Sequence, residues 1–167
     1  TGISEILKQT GLPKGSFYFY FKSKDDLAAA VTEYYQKILL EQFQSSSQGN
    51  DWESFIEEIF DYLFGRATGQ TFAGCPYAVM GMETALSKPT LASVFMERLK
   101  KFEQIFQKVL LYSGFPQDHA AIFSRRMLSN YQGYLLLGRI SGDISYLKNA
   151  KKNMIEMYRE YRSYHGI

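Results

Sequence analysis

The stretch that decides the fold is GLPKGSFYFYFKSK, which occupies residues 11–24. Apolar residues recur at helical spacing over residues 3–7, and Gly11 is suited to end that helix because glycine adopts the left-handed conformation without strain. Pro13 favours the first turn of a second helix, and Ser23 can cap the start of a third. The pattern therefore predicts two short helices, joined by a tight turn and followed by a long helix, which is the layout of a helix-turn-helix.

The second helix of this unit carries side chains suited to binding double-stranded DNA. Lysines neutralise phosphates, and hydroxyl groups bond to phosphate oxygens or to base edges. Phe17 and Phe21 lie four residues apart and are expected to face inward, which leaves the polar side chains outward. A solvated helical hairpin with surface lysines would show the same spacing, so the pattern alone leaves that alternative open. The predicted DNA-binding residues are Lys14, Gly15, Ser16, Tyr18, Tyr20, Lys22 and Lys24.

Residues 6–27 resemble the DNA-binding signature of the TetR (tetracycline-repressor) family. They read I-x-x-x-x-G-L-P-K-G-S-F-Y-F-Y-F-K-S-K-D-D-L. The resemblance implies that Ser16 takes the place of a hydroxyl that contacts bases or phosphates, Tyr18 that of the signature tyrosine, and Lys24 that of a phosphate-binding lysine. It also implies a further helix upstream of this unit, so we expect the chain to lack an N-terminal segment.

Composition limits the other classes of function. The chain has 167 residues, of which 46% are hydrophobic and 16% aromatic, and a net charge of only +2. Its single cysteine, Cys75, excludes an internal disulfide and offers no metal cluster, so neither a metal nor another cofactor is expected. No apolar run approaches the ~18 residues of a membrane-spanning helix, and no signal peptide is visible. We therefore expect a cytoplasmic protein without a membrane partner.

Helical periodicity continues through the rest of the chain and predicts an all-α protein. The expected organisation is a homeodomain-like three-helix unit without its first helix, residues 1–28, and a helical effector-binding and dimerisation domain, residues 29–167. Predicted helices cover residues 23–44, 51–64, 75–87, 90–113, 116–140 and 145–164, with a polar break at 45–50 and a loop at 65–74. An acidic run on the second of these helices, Glu53, Glu57, Glu58 and Asp61, is interpreted as a solvated face.

The body contains more Phe, Tyr and Met than a helical core of this size requires. Aromatic walls with adaptable methionines suit a small apolar or aromatic effector, although such residues also serve as plain core. Cys75 offers a competing thiol-based route, and Glu83 is the one ionisable group expected to orient a ligand. The predicted effector pocket consists of Phe60, Phe64, Cys75, Tyr77, Met80, Glu83, Phe95, Phe102, Phe106, Phe123, Met127 and Tyr131.

The last two helices are predicted to form a homodimer. Each shows apolar stripes on two sides, which is more apolar surface than one packing partner needs, and a single short recognition helix gains affinity from a second half-site. The resemblance implies a four-helix interface built from two helices of each subunit. Candidate contacts are Leu128, Gln132, Leu136, Ile140, Leu147, Met154 and Tyr158.

No catalytic constellation is apparent, so no enzyme activity is expected. The two histidines, His119 and His165, are far apart in sequence, and a thiol–imidazole pair of Cys75 with His119 is the remaining possibility. The sequence favours a ligand-responsive repressor that binds a palindromic operator as a dimer and is released by its effector. The alternative is a helical enzyme or protein-interaction module whose first helices only resemble a helix-turn-helix.

Overall fold

The computed structural model describes residues 2–67 and 73–167, and regular secondary structure in these segments is α-helical. The all-α prediction is therefore confirmed. The chain forms two compact units, Thr1–Leu39 and Leu40–Ile167. The helices are α1 (Ile3–Thr10), α2 (Lys14–Tyr20), α3 (Lys24–Ser46), α4 (Trp52–Arg66), α5 (Pro76–Thr84), α6 (Pro89–Tyr112), α7 (Gln117–Ser141) and α8 (Ser145–His165).

The first unit contains the predicted helix-turn-helix. Gly11 ends α1 with a φ of 69°, in the left-handed region that favours glycine. Pro13 is the N-cap of α2 with a φ of −68°. Phe17 is 6% exposed and its ring lies 5.9 Å from that of Phe21. Ser23 Oγ accepts a hydrogen bond from the Asp26 N–H at 3.1 Å and so caps α3, as the sequence predicts.

Aromatic side chains dominate the core of the second unit. Trp52, at the start of α4, is fully buried, and its indole Nε1 donates to the Met154 carbonyl of α8 at 3.3 Å. Its ring lies 5.4 Å from Phe106 of α6 and 6.2 Å from Tyr158 of α8. One indole thus holds three helices of the unit together. Buried aromatic rings contribute large apolar areas, and their edge-to-face pairs add to this.

Two predicted breaks fall later than the sequence suggested. The α3 helix continues through Ser46. The Ser46 hydroxyl accepts a hydrogen bond from Gln42 Nε2 at 3.1 Å, and the Ser46 carbonyl accepts one from Asn50 Nδ2 at 3.0 Å. These local bonds satisfy the polar groups that suggested a break. The α4 helix extends to Arg66, so Gly65 is helical. The remainder of the predicted loop includes residues 68–72, which lie outside the described residues.

The acidic run on α4 lies on a largely exposed face, as the sequence predicts, and it also makes contacts that the sequence did not reveal. Three of its carboxylates form ion pairs with α8: Lys151 pairs with Glu57 and, at 3.1 Å, with Asp61, and Arg159 pairs with Glu53. These pairs are largely exposed, and such pairs contribute little each, about 0–1 kcal/mol. They join α4 to α8 at two places, through Lys151 and through Arg159.

Two glycines inside α7 differ in their surroundings. A Cβ added at Gly138 would lie 3.3 Å from Tyr146 Cβ, so the close approach of α8 explains this glycine. A Cβ added at Gly133 would meet nothing within 4 Å among the described residues. Packing within the described chain therefore does not require a glycine at position 133.

Among the described residues, no helix has both the length and the apolar character needed to cross a membrane.

Candidate functional site

The α2 helix gathers most of the predicted DNA-binding residues on the surface of the first unit. Tyr18 and Tyr20 are 52% and 71% exposed, and Lys14 Nζ lies 6.0 Å from the centre of the Tyr18 ring. Ser16 is half-buried beside Phe17, whereas Lys14, Gly15, Lys22 and Lys24 are exposed. A hydroxyl- and lysine-bearing surface of this kind can bind phosphate oxygens and base edges. The roles of the individual residues stay predictions.

The turn between α2 and α3 is held by a carboxylate. Asp26 Oδ2 accepts a hydrogen bond from the Lys22 backbone N–H at 3.0 Å, while the Asp26 N–H donates to Ser23. This pair of bonds resembles a capping box and fixes the entry into α3. The backbone that carries Lys22 and Lys24 is therefore held in a defined turn directly after α2.

The sequence analysis missed Phe19. Its side chain is 80% exposed, more than either neighbouring tyrosine, and it lies in the middle of the predicted DNA-binding segment. A signal was present, because a residue two positions from the buried Phe17 must lie on the far side of a helix. The sequence analysis placed Phe17 and Phe21 on the inward face and gave Phe19 no role.

Most of the predicted effector-pocket residues lie in the core of the second unit. The ring centres of Phe60 and Phe106 lie 6.1 Å and 6.2 Å from the ring centre of Tyr131. Phe123 belongs to another cluster, 4.6 Å from the Tyr161 ring. In the described residues these rings pack against one another and serve as core. The buried members are Phe60, Tyr77, Phe95, Phe102, Phe106, Phe123, Met127 and Tyr131, whereas Phe64, Cys75 and Met80 are half-buried.

Two of the predicted pocket residues lie elsewhere. Glu83 is exposed on α5 and so is not a buried polar group that could orient an enclosed ligand. Phe64 lines an open groove of about 380 Å³ between α4 and α8, together with Lys148 and Ile155. The sequence pattern placed both residues on the right helices, but it could not show which way the side chains face.

Cys75 is held against α7 by the segment that precedes α5. The Arg139 guanidinium donates to the Ala73 carbonyl at 2.7 Å. A Cβ at Gly74, whose φ is 72°, would lie 3.1 Å from the Arg139 side chain. Both observations show that this segment lies against α7, and the Gln132 side chain of α7 hydrogen-bonds to the Cys75 thiol. Cys75 is thus tied to α7 through its own side chain.

Polar groups converge around the Cys75 thiol. Burial raises the pKa of Cys75, and the smaller effect of hydrogen bonds from Gln132 and from the start of α5 does not offset it. Burial, and secondly the proximity of Cys75, also raises the pKa of the Tyr131 phenol. Gln132 Oε1 is buried and has no hydrogen-bond partner among the described residues. Leaving such an acceptor unpaired in the interior costs about 1–3 kcal/mol.

We expect Cys75 to react slowly with iodoacetamide at neutral pH. The thiolate is the reacting species, and a raised pKa lowers the thiolate fraction at pH 7.5 below that of an ordinary cysteine. The rate should keep rising with pH beyond the range in which free cysteine levels off. Mass spectrometry of timed samples measures it, and the chain unfolded in urea, with its single cysteine, is the control. Reaction faster than free cysteine at pH 7 would contradict the expectation.

The predicted dimer contacts divide into two groups. Leu147, Met154, Tyr158 and Leu128 are buried within their own chain, which leaves them almost no surface for a partner. Their apolar stripe belongs to the core of their own chain, and this burial contradicts the prediction that they form dimer contacts. Gln132 is half-buried with its amide bonded to Cys75. Leu136 and Ile140 retain exposed surface, and Leu137, which the sequence analysis did not select, is 47% exposed.

The suggested thiol–imidazole pair does not form. His119 Nδ1 lies 3.1 Å from the Tyr161 hydroxyl, and its ring lies 4.8 Å from that of His165. Cys75 instead bonds to Gln132 and the start of α5. The two histidines therefore meet where the start of α7 lies beside the end of α8, although they are 46 positions apart in sequence.

Two families match the chain. The family described as bacterial regulatory proteins, tetR family, matches residues 1–31, and the one described as transcriptional regulator LmrA/YxaF-like, C-terminal domain, matches residues 53–153. A similar relative is YxaF of Bacillus subtilis strain 168, described as an uncharacterized helix-turn-helix-type transcriptional regulator. It is 30% identical over 150 residues, which cover 86% of this chain and 76% of the relative.

Two solved structures share the fold. A TetR transcriptional regulator from Legionella pneumophila aligns with a TM-score of 0.80 and 16% identity, over 94% of this chain and 86% of that chain. A regulatory protein TetR from Rhodobacter sphaeroides aligns with a TM-score of 0.81 and 18% identity, over 92% and 86%.

The two family matches correspond to the two parts of the structure already described. The N-terminal match contains the α1–α2 helix-turn-helix, and the C-terminal match runs from α4 into α8. The resemblance seen in residues 6–27 is thereby confirmed. The chain belongs to the TetR family of DNA-binding transcriptional regulators, with a C-terminal domain of the LmrA/YxaF-like kind.

Proposed function

We propose that this protein is a repressor that binds a palindromic operator as a homodimer and is released by a small apolar or aromatic effector. As a transcriptional regulator it is not an enzyme, and its access to DNA implies a cytoplasmic location. The observation that carries the proposal is α2. This short helix buries Phe17 and presents hydroxyl groups and Lys14 outward, and Lys22 and Lys24 follow it directly. A helix of that character fits the major groove.

Selection of bound fragments from random DNA tests the proposal. We expect the chain to enrich fragments with two inverted half-sites whose centres are about one helical turn, ~34–36 Å, apart. Failure to enrich any fragment at low salt would contradict the proposal. Enrichment of single half-sites would contradict only the homodimer.

We expect Lys24→Ala to weaken binding to all DNA sequences alike. Lys24 is exposed at the first position of α3, where it would neutralise a phosphate and read no base. Losing one phosphate contact should reduce the slope of log K against log salt by about one per half-site. Fluorescence anisotropy over a salt series measures this slope. Ser16→Ala is the contrasting variant, because losing a base contact should alter the preferred sequence more than the salt slope.

The support for a homodimer comes from the outer face of α7. Leu137 and Ile140 are 47% and 73% exposed, and Gly133 lies on the same stripe, four residues before Leu137. A Cβ at Gly133 would meet only open space. Two exposed aliphatic side chains beside a glycine suit close contact with a helix of a second copy. We propose this stripe as the centre of the interface, with Leu136 at its edge.

The support for an effector site comes from the interior around Cys75. The unpaired Gln132 Oε1 and the protonated Tyr131 phenol stand next to the aromatic core. A ligand that combines apolar surface with one hydrogen-bond donor fits this setting. Phe43 of α3 lies 6.2 Å from the Tyr131 ring, ring centre to ring centre. A ligand that displaces these rings would favour a different position of α3, and this difference in affinity is what releases DNA.

We expect apolar compounds with a hydrogen-bond donor to raise the melting temperature. At a ligand concentration of 100 Kd the added free energy is about 2.7 kcal/mol, which corresponds to roughly 5–10 °C. Cys75→Ser should retain the shift, whereas Gln132→Leu should reduce it more for compounds with a donor than for those without. If no compound stabilises the wild type while oxidants release DNA only when Cys75 is present, the effector acts through the thiol instead.

A further inference from the structure

We propose that Phe19 reads the 5-methyl group of a thymine in the operator, and that Gly15 gives the duplex the room to reach it. The inference rests on the proposed role of α2 in the major groove. It assigns a sequence-determining contact to an apolar side chain that carries no hydrogen-bonding group.

The geometry of α2 places Phe19 and Gly15 together on its outward side. Successive helical residues are rotated by about 100°, so residues two positions from the buried Phe17 lie about 160° away from it. Gly15 and Phe19 are those two residues, and they are four positions apart, on one face. Phe19 is 80% exposed. Side chains lean towards the N-terminus of their helix, so we expect the Phe19 ring, which lies 4.9 Å from that of Tyr20, to be on the same side as the bare backbone at Gly15.

Nothing among the described residues requires a glycine at position 15. The residue is helical and exposed, its φ is not positive, and a Cβ added to it would meet nothing within 4 Å. Glycine inside a helix costs roughly 1 kcal/mol relative to alanine. A glycine that folding does not need indicates that another molecule approaches the backbone there.

The chemistry of the surface selects the partner. Phe19 cannot bind a phosphate, yet Lys14 and Lys22 on the same segment are exposed cations that attract an anion. The major groove of DNA offers both features, since it is lined by phosphates and its one apolar group is the thymine methyl. An aromatic ring packed against that methyl distinguishes thymine from the other bases.

Replacement of thymine by deoxyuridine tests this contact, because it removes the methyl group and keeps every hydrogen-bonding group of the base. The probe is the tightest-binding fragment recovered by selection, with one thymine replaced at a time. Binding by the wild-type chain should weaken about fourfold at one thymine of each half-site, the effect expected for one buried methyl.

Variants at position 19 test whether Phe19 is the residue that contacts the thymine methyl group. Phe19→Ala should bind the thymine and deoxyuridine fragments equally, whereas Phe19→Leu should keep part of the difference because leucine is still apolar. Tyr34→Ala removes another exposed aromatic side chain, 65% exposed on α3, and should keep the full difference. Because Phe19 is exposed, circular dichroism should show all three variants folded.

Gly15→Ala provides the second measurement. The added methyl should leave the melting temperature unchanged or raise it, while it weakens the selected fragment by at least about tenfold, because it holds the helix away from the bases. The inference is overturned if Phe19→Ala still binds the thymine fragment more tightly than the deoxyuridine fragment. It is also overturned if no deoxyuridine replacement changes the affinity of the wild-type chain. Both outcomes leave the proposed function standing. A wild-type chain that prefers no fragment overturns both.

Discussion

Replacing Trp52 with alanine should lower the free energy of unfolding of the second unit by about 3–5 kcal/mol, a large share of the roughly 5–15 kcal/mol that stabilises an ordinary domain. The indole is completely buried and contacts rings from α6, α7 and α8. Its loss leaves a cavity at the point where these helices meet. It also removes the hydrogen bond to the buried Met154 carbonyl, which is then left without that donor.

Urea denaturation followed by circular dichroism measures the effect of Trp52→Ala. Fluorescence cannot serve, because Trp52 is the single tryptophan of the chain. The matched control is Tyr164→Ala on α8, which removes a large aromatic side chain that is 86% exposed and should change stability by less than about 0.5 kcal/mol. Equal stability losses in the two variants would show that the core is not organised around the indole.

The helix-turn-helix could be predicted from the sequence because its signals are local. Gly11 ends one helix through its left-handed conformation, and Ser23 caps another through a bond to a residue three positions away. Neither signal depends on the rest of the fold. The helix count of the body followed in the same way, from apolar periodicity between local breaks.

The partners of the side chains could not be predicted, since they depend on tertiary packing. The apolar stripe with Leu147 and Met154 looks the same in sequence whether it faces its own core or a second chain, and the structure places it in the core. The ion pair of Glu53 with Arg159 joins residues 106 positions apart. Likewise, Gln132 reads as a helix-surface residue, yet its amide bonds to the Cys75 thiol.

Replacing Leu137 with glutamate should convert the proposed homodimer into monomers. Each copy would bring a carboxylate to the centre of the α7 stripe, and burying an unpaired charge costs several kcal/mol. The dimer dissociation constant should therefore rise by at least about a hundredfold. Because Leu137 is 47% exposed in the single chain, the substitution should leave the fold and the melting profile of the monomer intact.

The expected loss of operator binding from Leu137→Glu is larger than any single contact could give. A dimer engages its second half-site at a high effective concentration, and losing that advantage weakens binding by about 10²–10⁴-fold. Light scattering and anisotropy on one sample series measure mass and affinity together. Met96→Glu is the control, since Met96 on α6 is also 47% exposed but lies on another helix and should change neither quantity. A wild-type monomer at micromolar concentration, or a Leu137→Glu variant that stays dimeric, would place the interface elsewhere. Unchanged operator affinity in a proven monomer would instead mean that one α2 helix suffices for recognition.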